Sequence, residues 1–390
     1  MNDRRSLPPP IWVDRPADFR AMLAHLQGEP ALAVDTESNS LYAYQEQVCL
    51  IQISVPGTDY LIDPLALREL PGLGTLLGDP AVLKVFHGAE YDLSVLHRDF
   101  DFIVANLFDT MWASRILGWP DHGLADLLQA HFRVSLNKRY QRANWGLRPL
   151  PPDQLNYARL DTHYLLPLYE LQARELKAAK RWPQAQHRFA RLVQTRWEPR
   201  CFDADGFWRL PGVRDLGDVG RGVLRELYLW RDRCAQDETR PAFKVISNKV
   251  LLLLSEQRPQ GLGALQQVQG MSRPMVGRYG RGLLAAIRRG VEHPLAWEER
   301  PKTGNHLAHG PNGRPSTSCQ ARFEALRAWR NATAQARGVE PDIVLNNQTL
   351  WAVAHRNPRT RAELAADGLL ARWQVDEFGD DLLAVIKGAR

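Results

Sequence analysis

The first 170 residues alternate between short apolar runs and amphipathic stretches. Ala31–Val34 is an apolar run that leads into Asp35-Thr36-Glu37. Val48–Ser54 is β-branched and partly alternating, and Tyr60–Ile62 follows it across Pro56-Gly57. That spacing predicts a hairpin or meander, closed by the turn signal Asp63-Pro64. Ala81–Phe86 and Ile103–Phe108 predict further strands, with a helix between them that starts near Ala89 and turns Leu93, Val95 and Leu96 inward. Met111–Leu117 and Leu124–His131 read as helices separated by Gly118-Trp119-Pro120. Residues 133–152 hold prolines and five basic side chains, and read as a loop. A helix opening at Pro152 or Asp153 should pass through Tyr157 and Asp161 towards Lys180. Together these elements predict a mixed sheet covered by helices.

From about residue 205 the strand period disappears. Leu216–Cys234, Ile246–Ser255, Leu262–Gln267 and Arg273–Gly290 read as successive helices. Residues 296–318, rich in proline and glycine, read as a linker, and a second helical set follows from Ala321 to Ile386. The two sets share a pattern. Leu227-Tyr228-Leu229-Trp230-Arg231 in one matches Leu326-Arg327-Ala328-Trp329-Arg330 in the other. A proline follows each (Pro241, Pro341), then an apolar helix with Asn-x-x-Leu at Asn248 and Asn347. An internal repeat of about 100 residues is expected.

Hydrophobic residues are 44% of the chain and charged ones 24%, which excludes a mainly disordered, collagenous or membrane-embedded protein. The longest apolar run, near Val250–Leu254, is far short of a bilayer span, and Met1–Trp12 has no apolar signal core. Cys49, Cys201, Cys234 and Cys319 lie far apart, with no C-x-x-C spacing. These features predict a cytoplasmic protein. The net charge of +6 hides a division: residues 1–170 carry −7 and residues 171–390 carry +13. Segments 171–204, 205–295 and 296–390 contribute +5, +6 and +2. An anionic partner for the basic half is one reading, and solvated helix faces are the other.

Candidate chemistry lies in the acids. Asp35 and Glu37 stand at i and i+2 near a strand end, so both leave the same face. Two carboxylates side by side repel unless a cation or proton sits between them. Alone, such a pair is ordinary on a solvated surface. Asp92, within His87-Gly88-Ala89-Glu90-Tyr91-Asp92-Leu93, falls in the first turns of a helix, where the dipole alone could account for it. Tyr157 and Asp161 are i and i+4, on one helix face. Their joint occurrence in this order carries more weight than any one of them.

This series resembles the DEDD exonucleases of the ribonuclease H-like fold, in the subgroup with tyrosine in the third motif. The resemblance is closer still to the ribonuclease D family. It rests on Val34-Asp35-Thr36-Glu37, Phe86 to Leu93, Phe108-Asp109-Thr110, Asn144-Trp145-x-x-Arg148-Pro149-Leu150 and Gln154-x-x-Tyr157-Ala158-x-x-Asp161. Asn144 departs from it, standing where an acid is expected. The two helical sets resemble HRDC domains, the first with Val268-Gln269-Gly270-Met271 and Tyr279-Gly280 as its short turn segment. No P-loop motor motif accompanies them. The resemblance implies an α/β ribonuclease H-like exonuclease domain over 1–204, with a mixed sheet flanked by helices. Two all-α HRDC-type helical domains then cover 205–295 and 319–390, joined by the 296–318 linker.

It further implies a 3′–5′ exoribonuclease that uses two divalent metal ions, Mg²⁺ or Mn²⁺, held by Asp35, Glu37, Asp92 and Asp161. Asp35 is expected to bridge them, Glu37 and Asp161 to complete the site of the water-activating ion, and Asp92 to hold the other. Tyr157 is expected to orient the attacking water. The expected partner is RNA, as single-stranded 3′ ends of structured molecules such as tRNA precursors, cleaved to nucleoside 5′-monophosphates by a monomeric enzyme. Candidate RNA contacts are His87, the basic aromatic segment Lys138, Arg139, Tyr140 and Arg142, and Arg273 and Arg278 near the Gly270-Met271 turn. A histidine at a strand end is more often structural, and the basic segment is equally suited to be a solvated loop. A 3′–5′ DNA exonuclease and a catalytically silent RNA-binding adaptor are the rival readings. The intact set of acids and tyrosine argues against the second.

Overall fold

The computed structural model describes residues 7–67, 69–199, 201–301 and 316–389, and the side chain of Lys138 is outside that description. Most of the expected linker, residues 302–315, and the first six residues also lie outside it. The chain divides into two compact units. One draws on residues 1–37, 48–197 and 305–390, and the other on 38–47 and 198–304.

The first unit opens with β1 (Ile11–Val13), α1 (Pro16–Leu26), β2 (Ala31–Ser38), β3 (Val48–Val55) and β4 (Thr58–Ile62). It continues through α2 (Pro71–Gly78), β5 (Leu83–Phe86), α3 (Glu90–Phe100) and β6 (Leu107–Asp109). Helices α4 (Thr110–Leu117), α5 (Leu124–Phe132), α6 (Pro152–His163), α7 (Leu165–Ala178) and α8 (Trp182–Leu192) follow. The strands form one sheet in the order β1-β4-β3-β2-β5-β6. β3 and β4 pair antiparallel, whereas β1 with β4, β2 with β5 and β5 with β6 run parallel, giving the mixed sheet expected. All eight residues of β3 are buried, as its near-continuous apolar run requires of a strand covered on both faces. Gly57 turns the chain between β3 and β4 at φ +80°, a conformation cheap only for glycine.

Two expectations change. The long helix towards Lys180 is broken at Tyr164 (φ −98°, ψ 0°) into α6 and α7. Pro167, in the first turn of α7, has no N–H to offer the carbonyl four residues back, so α6 cannot run on through it. The strand expected over Ile103–Phe108 contracts to Leu107–Asp109, and Ile103 is 51% exposed.

The second unit contains α9 (Asp218–Asp237), α10 (Ala242–Val245), α11 (Asn248–Gln257), α12 (Leu262–Gln267) and α13 (Arg273–Glu292). α9 and α13 pack closely because Gly222 and Gly290 let the backbones touch; a Cβ on Gly290 would collide with the Val223 backbone. The second helical set, α14 (Thr317–Arg337), α15 (Pro341–Val344), α16 (Asn347–Arg356), α17 (Arg361–Ala365) and α18 (Arg372–Gly388), repeats this plan. Arg231 donates to Asn248 Oδ1 at 2.7 Å, and Arg330 donates to Asn347 Oδ1 at 2.7 Å. The same arginines reach the carbonyls of Ile246 and Leu345. The two sets correspond at a constant offset of 99 residues, down to the left-handed caps Arg258 and Asn357.

Within the first unit the second set packs on the α/β fold. Ile343 joins the apolar core beneath the sheet. Arg115 pairs with Glu340 (2.5 Å) and Asp342 (2.9 Å), and Gln184 Nε2 donates to the Ile343 carbonyl at 2.7 Å. Gly118, at φ +79°, faces the Gly338 carbonyl so closely that any Cβ would strike it. Among the described residues no helix is long and apolar enough to cross a membrane.

Candidate active site

β2 delivers Asp35 and Glu37, and α6 delivers Asp161. Each offers a carboxylate oxygen, and these three atoms lie within 4.8 Å of one another. The strand alternation that puts Asp35 and Glu37 on one face is what makes this possible. Asp92, on α3, stands beside them. Its Oδ1 accepts a hydrogen bond from Thr36 Oγ1, so the residue between the two β2 acids anchors the fourth.

The electrostatics follow from crowding and burial. Burial pushes the Asp35 carboxyl well above its ordinary range, and the Asp161 charge adds to this. Glu37 is raised by burial and then by Asp35, Asp161 and Asp92. Asp92 is raised by burial and by Asp35, with the Thr36 hydrogen bond opposing. Burial pushes Asp161 up to about 8, against a hydrogen bond from Tyr157 that favours its charged form. Four crowded acids, two of them buried and two half-buried, therefore resist being charged together. They form a hard, all-oxygen donor set, which fits Mg²⁺ or Mn²⁺.

Tyr157 hydrogen-bonds to Asp161, one turn along α6. Burial raises its phenol far above the usual tyrosine range, and Asp161, Glu37 and Asp35 add to the effect. Its ring packs in a small core with Cys49, Leu61, Trp145 and Leu150. The Trp145–Leu150 segment is held there by Arg148, which grips Asp63 with two bonds of 2.6 Å and also reaches the Cys49 carbonyl at 2.7 Å. Asn144, the departure from the family pattern, still closes the turn: its Oδ1 accepts the Gly146 N–H at 3.1 Å.

Buried polar groups lock α6 to the sheet. Ser54 Oγ donates to Asp59 (2.7 Å) and lies 2.6 Å from Thr162 Oγ1, while His163 Nδ1 meets both Asp59 oxygens at 2.9 Å. Asp109 does the same for α3. Its carboxylate accepts the N–H groups of Gly88 (3.1 Å) and Ala89 (2.8 Å) while capping α4 through Met111 and Trp112. Asp109 and Thr36 position the site, yet the sequence pattern does not single them out. The only signal for Asp109 is its place in Phe108-Asp109-Thr110.

Asp35, Glu37 and Asp161 open onto a cleft of about 490 Å³, also lined by His87, Gly123, Leu124, Asp126, Leu136, Gln141 and Tyr157. His87 Nδ1 lies 2.9 Å from Thr110 Oγ1, and burial lowers its pKa to about 4, so the ring is neutral at physiological pH. The basic segment forms a 3-10 turn over Lys138–Arg142, from which Gln141 reaches the cleft. Tyr140 packs 5.7 Å from Tyr157, and Arg139 is exposed and lies over the Tyr140 ring at 4.6 Å. Arg142 is exposed. Arg273 and Arg278 belong to the second unit, on α13, where Arg278 Nε donates to Glu238 at 3.1 Å.

Comparison with known proteins agrees with this architecture. The 3′–5′ exonuclease family matches residues 10–177, and the HRDC domain family matches 221–287 and 320–386. The chain is 33% identical to Protein RRP6-like 2 of Arabidopsis thaliana over 74% of its own length and 34% of that protein's, so it spans about a third of that relative. It is 29% identical to Ribonuclease D of Gluconacetobacter diazotrophicus, over 99% of this chain and 95% of that one. The structure aligns with the catalytic core of RRP6 from Trypanosoma brucei at a TM-score of 0.67 and 30% identity, over 74% of this chain and 80% of that chain. The class that emerges is a 3′–5′ exonuclease domain joined to two HRDC domains. The chain belongs to the exonuclease family that includes ribonuclease D and RRP6.

Proposed function

We propose that the chain is a 3′–5′ exoribonuclease that hydrolyses terminal phosphodiester bonds with two divalent ions and releases nucleoside 5′-monophosphates. The observation that carries this reading is the convergence of Asp35, Glu37 and Asp161 within 4.8 Å, with Asp92 tied alongside. Asp35, Glu37 and Asp161 would hold the ion that activates water, and Asp35 and Asp92 would hold the other. The chemistry supplied by bound ions is activation of water and neutralisation of charge on the phosphate.

The chain's own residues do the rest. Tyr157, with its phenol kept protonated by burial, acts as a hydrogen-bond donor and acceptor that orients water rather than as a base. Asp161 accepts from Tyr157 and holds that phenol towards the cleft. The neutral His87 ring forms part of the wall that receives the terminal nucleotide. The basic turn at Lys138–Arg142 stands at the cleft as a contact for the incoming strand. The substrates we favour are structured RNAs with single-stranded 3′ ends, such as tRNA precursors, with the HRDC domains gripping the folded body.

Matched 5′-labelled RNA and DNA oligonucleotides, incubated with Mg²⁺ or Mn²⁺ and then with EDTA, test the proposal. The expected result is an RNA ladder shortened from the 3′ end, mononucleotides bearing 5′ phosphates, and arrest by EDTA. Faster loss of DNA would make the chain a DNA exonuclease. RNA binding without products under either ion would make it an adaptor.

A further inference from the structure

A second cleft, of about 700 Å³, lies inside the first unit between α4 and α8 of the exonuclease fold and the second HRDC copy. Its walls carry Trp112, His187, Arg188, Arg191, Arg356 and Trp373.

Two arginines pack on the Trp112 ring, and they differ in one respect. Arg115 lies 4.4 Å from the ring centroid, and its charge is met by Glu340 and Asp342. Arg188 lies 3.6 Å from the centroid and forms a long ion pair with the exposed Glu90 at 4.0 Å, while its Nε is buried without a hydrogen-bond partner. A half-buried guanidinium whose donor meets no acceptor is costly. Burial lowers the Arg188 pKa; the charges of Glu90 and Asp109 oppose this, and those of Arg191 and Arg115 add to it. Trp373 shows the same feature across the cleft: its Nε1 is buried without a partner, and its ring lies 6.4 Å from His187. Arg191, one turn beyond Arg188 on α8, is exposed, and Arg356 enters from α16 with Asp367 at 3.3 Å. Asp342, the other acid in the wall, is already engaged by Arg115.

We infer that this cleft is a second nucleic-acid site, which takes the phosphodiester backbone of a single-stranded RNA segment on Arg188, Arg191 and Arg356 and a base against Trp373 and His187. Clefts of about 300–1,000 Å³ hold small ligands, so one or two nucleotides fit. The unsatisfied Arg188 Nε suits a phosphate oxygen, with Arg191 and Arg356 adding charge beside it although Arg356 already donates to the Ala366 carbonyl and Asp367, and flat aromatic faces suit bases of any sequence. An acidic peptide would use the arginines but leave the aromatic rings idle. The choice of RNA rests on the proposed exoribonuclease function. The site itself rests on the geometry of the cleft, and it gives the second HRDC copy a direct part in RNA binding.

The test measures anisotropy of 5′-labelled single-stranded RNAs of about 20 and about four nucleotides in EDTA, which isolates binding from hydrolysis. Arg188→Gln combined with Arg191→Glu, and separately Gln348→Glu on the exposed rim, should weaken the longer RNA roughly 5- to 10-fold and lower its salt slope by about 1–2. Affinity for the short RNA, and its hydrolysis with Mg²⁺, should stay unchanged. Longer-RNA affinity within about twofold of the parent in both variants would overturn the site. So would equal loss for both lengths, which would mean that the effect passes through the catalytic cleft. Competition by polyglutamate as strong as by RNA of equal charge would assign the cleft to an acidic protein instead. Failure of the exoribonuclease reading is seen separately, as absence of products from the unmodified chain.

Discussion

Asp161 shows how a candidate metal ligand can weaken the fold that carries it. Its folded pKa of about 8 lies well above the unfolded value, because burial disfavours its charge. The folded, metal-free chain therefore holds a proton that the unfolded chain has already released, and stability falls as pH rises from about 4 to about 8. Asp161→Asn should raise the melting temperature in EDTA at pH 8, by about 2–4 °C for each kcal/mol of repulsion relieved. It should also abolish hydrolysis. Added Mn²⁺ should raise the melting temperature of the parent chain but not that of the variant, as differential scanning fluorimetry would show; an equal rise in both would remove Asp161 from the metal set. Tyr157→Phe should keep the Mn²⁺-induced shift and lower kcat by roughly 10- to 1,000-fold, the effect of a lost positioning contact. These acids were legible because strand and helix periods place them on shared faces. Thr36 and Asp109 were not, because their bonds to Asp92 and to the Gly88 and Ala89 amides join segments that only the folded sheet brings together.

Among the elements, most periodic segments were read correctly, including short ones such as Tyr60–Ile62 and Leu262–Gln267, but β1 and the break between α6 and α7 were not. β1 has three residues, too few for a period, and gains its place by pairing along β4. The α6–α7 break is visible at Pro167 only when the missing N–H is traced to its carbonyl. The repeat was legible through Arg231 and Arg330, each next to a tryptophan, but the reason for keeping arginine there lies in the structure. Each guanidinium is almost fully buried and holds the start of the next long helix through an asparagine and a carbonyl. Replacing either arginine with methionine leaves those acceptors unsatisfied and should cost about 1–3 kcal/mol. Urea unfolding followed by hydrogen exchange should locate the loss in α9–α11 for Arg231→Met and in α14–α16 for Arg330→Met. Loss spread evenly over both copies would contradict the parallel.

The whole molecule is organised differently from its linear order. Charge separates along the chain, −7 over residues 1–170 against +13 over 171–390, and that asymmetry was legible from composition alone. The seating of the second HRDC copy was not, because it depends on long-range contacts such as Gly118 with Gly338 and Gln184 with Ile343. A truncation that removes residues 205–390 consequently takes part of the catalytic unit's own core with it. A truncation after residue 300 should lower the melting temperature of the exonuclease fold and speed its cleavage by trypsin, whereas an unchanged digestion pattern would show that Ile343 adds nothing to that core. The split nature of the first unit also bears on biosynthesis. Its sheet and first eight helices leave the ribosome early, at about 5–20 residues per second, but its last core residue, Ile343, emerges only after the entire intervening HRDC copy. During that interval the nascent nuclease displays an apolar seat with nothing in it. A chain that terminates early would keep that seat open and so carry a mark of incompleteness that chaperones and proteases can recognise.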